Sequence, residues 1–151
     1  MTHDLALALA IVHHWALLLL LAALAAEFVL LRQPPSPDWV RTLARVDQVY
    51  GGAALLLLAA GFARVAWGAK GADFYLDNPV FWAKVAVFVL VGLLSIVPTL
   101  RYPLWLRQLR TSGRLPVEAQ VDGTRRWVGC QFLLLVILPV LAAMMARGIG
   151  H

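Results

Sequence analysis

Charge and sulfur are scarce in this chain. Only 14% of its 151 residues are charged, against about a quarter in an ordinary soluble domain. There is one cysteine, Cys130, so no intrachain disulfide can form and no cysteine-rich zinc or iron–sulfur site is available. Histidine is limited to His3, His13, His14 and His151. The opening residues Met1-Thr2-His3-Asp4 hold no Lys or Arg. That argues against a cleaved secretory signal, despite the Ala23-Leu24-Ala25 step further on. The length leaves room for a single domain over 1–151.

What the chain has instead is apolar residue. Hydrophobic types make up 62% of it. They collect into four blocks, each near the roughly 20 residues needed to cross a bilayer. The blocks run over about 5–31, 43–67, 80–100 and 126–146. The expectation is an all-α fold, an integral membrane antiparallel four-helix bundle. "RQPPSPDWV" makes a stiff first connection through its clustered prolines. "GAKGADFYLDNP" is a glycine-bounded loop. "RYPLWLRQLRTSGRLP", with Arg, Trp and Leu interleaved, suits a short helix lying in the membrane interface.

The basic residues give the direction. The first and third connections hold Arg32, Arg41, Arg45, Arg101, Arg107, Arg110, Arg114, Arg125 and Arg126. The other side holds Arg64, Lys70, Lys84 and Arg147. Nine against four places the first group in the cytoplasm and both termini outside. The net charge of +5 then speaks for topology and lipid headgroups rather than for nucleic acid. The bilayer is the expected partner, with a homodimer or a larger membrane complex as further assemblies.

Two adjacent histidines interrupt the first block in "AIVHHWALLLL". Ionisable groups within a span are costly and point to a partner or a function. At about 1.5 Å per residue, His13 and His14 lie roughly 12 Å below the outer start of their span. Arg64 sits about one turn before the outer end of the second span, and Lys84 about one turn after the outer start of the third. These groups share the outer half. On the second span Tyr50, Ala53, Leu57, Ala60, Gly61 and Arg64 form one face of mostly small residues, which leaves room for a close helix or a flat ligand. On the third span Lys84, Val91 and Ser95 line up. The fourth span offers only Cys130 and Gln131 as polar groups and reads as packing material.

Neutral imidazole suits a metal, a haem iron or the carbonyl of a quinone. Arg and Lys suit carboxylates. His13 and His14 are therefore candidate metal or cofactor ligands. Arg64 and Lys84 would anchor acidic or carbonyl groups, and Tyr75 and Lys70 on the outer loop would cover the site. A bis-histidine haem is short of one ligand, and adjacent histidines chelate zinc poorly on a helix. Helical phase puts His13 and Glu27 on one face and turns His14 aside. Nearer the cytoplasm, Glu27 is expected to pair with Arg45 in a structural ion pair beside Asp47. The leading expectation is a cofactor-binding redox protein holding haem b, a related porphyrin or a quinone. The alternative is an accessory or structural subunit of a larger membrane complex.

"VDQVYGGAALLLLAAGFARV", "GAKGADFYLDNPVFWAKVAVFVLVGLLSIVPT" and the early "HHW" resemble a family of uncharacterised bacterial four-span "predicted membrane proteins". The resemblance covers nearly the whole chain and implies a multi-pass protein of the bacterial inner membrane with periplasmic termini. More distantly, the layout is similar to the four-helix membrane protoporphyrinogen oxidase of bacteria. That resemblance implies haem b and oxidation of the last porphyrinogen of haem synthesis. Its histidine falls on His13 or His14, its glycine on Gly61, and its lysine on Lys84, preceded here by Trp82. The sequence departs from that family about three turns after the lysine, where Ser95 stands in place of a histidine.

Overall fold

A computed structural model describes residues 2–67 and 71–149. Four long helices and one short one follow in order: α1 Thr2–Leu30, α2 Pro37–Trp67, α3 Ala72–Leu76, α4 Pro79–Ser112 and α5 Glu118–Ala146. The described residues contain no strand. The four long helices are each long and apolar enough to cross a membrane. The all-α antiparallel bundle expected from the hydropathy is the fold.

The helix starts carry their signals. Ser36 Oγ accepts the amide of Trp39 at 3.1 Å, with Pro37 opening α2. Asn78 Oδ1 accepts the amide of Val80 at 2.8 Å, with Pro79 opening α4. A short polar acceptor followed by proline serves amides that lack intrahelical partners. Gly113 closes α4 at φ 66, a left-handed conformation that suits glycine. Where α1 ends, the Trp39 indole donates to the Leu30 carbonyl at 2.7 Å.

Three boundaries differ from the hydropathy blocks, and α5 begins at Glu118 rather than near 126. α2 begins at Pro37 rather than near residue 43, because Ser36 and Pro37 supply the start signal before the apolar run begins. The arginine-rich segment after Leu100 is not a separate interfacial helix. It is the continuation of α4 through Pro98 and Pro103. Its 34 residues span about 51 Å at 1.5 Å each, well beyond a hydrocarbon core of roughly 30 Å. Arg107 and Arg110 thus ride on the end of a spanning helix.

α1 packs along α2, and α4 along α5. α2 against α4 and α1 against α5 close the ring, with α3 resting on α2 and α4. The diagonal pairs, α1 with α4 and α2 with α5, do not approach backbone to backbone. Leu20, Leu24, Leu43, Val91, Val128 and Leu135 fill the centre. Leu55, Phe62, Leu93 and Leu133 are among the large apolar side chains turned outward, as helices that are hydrophobic all round require when lipid is the solvent.

Both diagonals are joined by buried side chains. Tyr102 of α4 donates to Glu27 Oε2 of α1 at 3.0 Å. Tyr50 of α2 donates to Gln131 Oε1 of α5 at 3.1 Å. Gln131 has a second task. Pro98 has no amide hydrogen, which strips the Leu94 carbonyl of its helical partner. Gln131 Nε2 donates to that carbonyl at 3.3 Å. Beside this layer Trp39 stacks on Trp105 with ring centres 5.8 Å apart, and Tyr102 lies 5.7 Å from Trp105.

Replacing Gln131 by leucine strands the Tyr50 hydroxyl and the Leu94 carbonyl together. Each buried polar group left unsatisfied costs about 1–3 kcal/mol. Gln131→Leu should lower the thermal unfolding midpoint in detergent clearly, while Leu133→Ala on the lipid-facing side should change it little.

Candidate functional site

The two histidines of α1 part company. His14 is exposed, and its Nδ1–H donates to the Ala10 carbonyl one turn back at 2.6 Å. It is satisfied within its own helix. Its neighbours Leu7, Ala10, Ile11, Trp15 and Leu18 all belong to the outer surface of α1. His13 is half-buried and turned into the bundle. The phase argument that placed His13 with Glu27 and turned His14 aside agrees with this arrangement. The rings stand edge to face, 6.1 Å apart at 86°. Only His13 is turned inward; His14 lies on the outer surface of α1. Among the described residues no three His, Cys, Asp or Glu side chains gather where they could hold a metal ion.

The His13 ring lies against the backbone of α2 at Leu57 and Gly61. A β-carbon built on Gly61 would sit 3.5 Å from His13 Cε1 and 3.7 Å from Nδ1. The space beside the ring at Gly61 takes a methyl in ordinary contact but nothing much larger. Nδ1 is buried there without a well-formed hydrogen bond, and the Leu57 backbone lies in reach of the ring. The charges of Arg64 on α2 and Lys84 on α4 lie within electrostatic reach of the ring. Three helices therefore bring one imidazole and two cations to the α3 end of the bundle. Tyr50, Ala53, Leu57 and Ala60 of the small-residue face are buried, and Gly61 and Arg64 are half-buried.

The loop residues are placed less uniformly. Tyr75, on α3, is buried against Phe74 and Phe81, with ring centres 5.3 and 5.8 Å away. Phe81 in turn carries the Lys84 ammonium 5.9 Å from its ring centre. Tyr75 is thereby one aromatic contact removed from Lys84. Lys70 and His151 fall outside the described residues. Asn78, fully buried, also donates to the Ile149 carbonyl at 3.4 Å. That contact ties the residues beyond α5 to the start of α4.

The expected Glu27–Arg45 ion pair does not form. Arg45 is exposed, and Glu27 takes the Tyr102 hydroxyl instead. Asp47 takes the Thr99 hydroxyl at 2.7 Å. Glu27 points across the bundle axis, whereas Arg45 stands on the outward side of α2, two residues from the inward Asp47. The sequence reading passed over Thr99 and Tyr102 and treated Gln131 as packing. The signal was present: the α4 line of Lys84, Val91 and Ser95 continues at helical spacing to Thr99 and Tyr102. Thr99 falls within the apolar block, and Tyr102 just past its end at Leu100.

The family described as predicted membrane protein (DUF2214) matches residues 5–150. No curated protein and no solved structure matches the chain.

His13 and His14 differ by one residue in sequence and by burial in the structure. His13→Ala empties a half-buried position, and substitutions of that kind usually destabilise by about 1 kcal/mol or more. His14→Ala removes an exposed side chain that satisfies itself. His13→Ala should lower the unfolding midpoint more than His14→Ala. At Gly61, alanine places its methyl in ordinary contact with the ring and should be tolerated. Gly61→Leu should displace the imidazole and reproduce the His13→Ala effect.

Proposed function

The chain belongs to the predicted membrane protein family DUF2214, and we propose that it is a redox protein of the bacterial inner membrane that holds a flat cofactor, haem b or a related porphyrin, against His13. The observation that carries this reading is the half-buried His13 ring, turned into the bundle on the Gly61 face of α2 with two cations in reach. A polar group so placed in a membrane bundle is a functional candidate.

The residues present fit such a group. The α2 backbone closes the Nδ1 side of the ring at Gly61, so the imidazole would offer Nε2 to iron. Arg64 and Lys84 supply positive charge at the same depth, suited to the carboxylates of a porphyrin. Lys84 would help to hold the group from α4, while His14, on the same span as His13, is exposed. Tyr75 and Phe81 would wall the side towards α3. A bound haem would supply one-electron transfer within the membrane. His13 would hold it, Gly61 would keep the imidazole close to α2, and the two cations would fix its acidic edge. A quinone is the other cofactor this imidazole could serve, through a hydrogen bond to a carbonyl.

In this reading the arginine-rich end faces the cytoplasm and both termini are periplasmic, following the nine basic residues gathered on that side. Trp67 and Trp82 are exposed near the α3 end, where aromatic side chains meet the lipid interface. They need no partner protein to cover them, which favours a self-contained cofactor protein over an accessory subunit.

An absorption spectrum of the purified protein, oxidised and reduced, tests the reading. A Soret band is expected. It should be lost in His13→Ala and retained in His14→Ala, with Lys84→Met altering its position or intensity. A colourless protein carrying a quinone by mass spectrometry would replace haem while keeping the class. A colourless protein with neither porphyrin nor quinone would overturn the class.

A further inference from the structure

The polar layer towards the arginine-rich end has no part in the cofactor reading, and it holds more negative charge than it neutralises. Glu27 is 1% exposed and Asp47 8%. They lie on neighbouring helices, within electrostatic reach of each other. Each accepts one hydroxyl, from Tyr102 and Thr99 respectively. Glu27 Oε1 is buried and has no hydrogen-bond partner at all.

Among the described residues no cation pairs with either carboxylate. Arg45 is exposed. Arg101, next to Tyr102 on α4, turns to α5 and donates to Thr124 Oγ1 at 2.9 Å. Arg41 pairs with Asp38 at 2.8 Å. Arg32 lies 4.4 Å over the Phe28 ring. From α2 and α5 the remaining polar groups near the layer are Tyr50 and Gln131, both uncharged and bonded to each other. Two carboxylates side by side in a membrane interior suffer both desolvation and mutual repulsion. The two hydroxyl donors are enough for one of them, not for two.

We infer that Glu27 and Asp47 form a binding site for one monovalent cation, a proton or a sodium ion. A single positive charge leaves one negative charge, which the Tyr102 and Thr99 hydroxyls then serve. A calcium ion gathers about 6–8 oxygen ligands with several carboxylates among them, and no third acidic, histidine or cysteine side chain joins this pair among the described residues. Leu20, Ala53 and Val91 are buried between this layer and His13. The cation site is separate from the His13 site and does not rest on the cofactor reading.

The test uses the full chain in lipid nanodiscs, as wild type, Glu27→Gln and Asp47→Asn. Infrared spectra at neutral pH in water and in heavy water read out a protonated carboxyl. Thermal unfolding in sodium chloride against choline chloride at equal ionic strength reads out sodium. For a proton, the wild type shows a protonated-carboxyl carbonyl stretch that shifts in heavy water and is lost in Glu27→Gln. For sodium, the wild type is stabilised by sodium over choline, and that difference is lost in both variants. Either result supports the site and identifies its occupant. Should Glu27→Gln fail to fold, the wild-type spectra and the Asp47→Asn unfolding decide. A wild type with neither signal overturns the proposal, as does a signal that both folded variants retain in full.

Discussion

Inside a bilayer a polar group has no water to turn to, so the protein must supply its partner. Gln131 shows how far this constraint organises the bundle. One amide on α5 accepts the Tyr50 hydroxyl from α2 and donates to the Leu94 carbonyl that Pro98 leaves open on α4. Three helices are tied together to satisfy one missing backbone hydrogen bond and one hydroxyl. Proline is tolerated within α4 because this repair exists. The same Nε2 also donates to the Trp127 carbonyl of its own helix at 3.4 Å, so the repair ties α5 to α4 while anchored on α5.

The same constraint explains the diagonals. Apolar packing holds neighbouring helices together around the ring, but lipid tails are as apolar as leucine and offer little preference for one arrangement over another. Hydrogen bonds between diagonal helices are directional. Glu27 to Tyr102 and Tyr50 to Gln131 specify which faces meet at the centre. The stacked Trp39 and Trp105 beside them add bulk at the end where the loops are short. The result is a bundle with two polar levels, one at Glu27 and Asp47 and one at His13, separated by a dry middle.

Much of the candidate site was legible in the sequence, for a plain reason. An ionisable side chain within an apolar run stands out, and the helical period says which such residues share a face. That sufficed to bring His13, Gly61, Arg64 and Lys84 to one end and to separate His13 from His14. It failed at Glu27. Opposite charges at similar depth made Arg45 the natural partner, yet depth is not direction. Arg45 lies outward while Glu27 crosses the axis to a tyrosine that the hydropathy had assigned beyond the span. Hydropathy marks where a helix is apolar, not where it ends. α4 continues well past its apolar part because its arginines extend beyond the hydrocarbon without breaking the helix.

Composition and periodicity by themselves determined that the chain is a membrane protein of four helices, where those helices lie, and which half of the bundle gathers the imidazole and the cations. These follow from the bilayer's thickness and the helix's pitch, which any apolar sequence must obey. Only the tertiary structure decided the ring order of the helices, the pairing across both diagonals, the rescue of Leu94 by Gln131, and the orphan oxygen of Glu27. Each depends on the direction of a side chain between helices distant in sequence. That direction is set by close packing of the whole bundle and leaves no periodic trace along the chain.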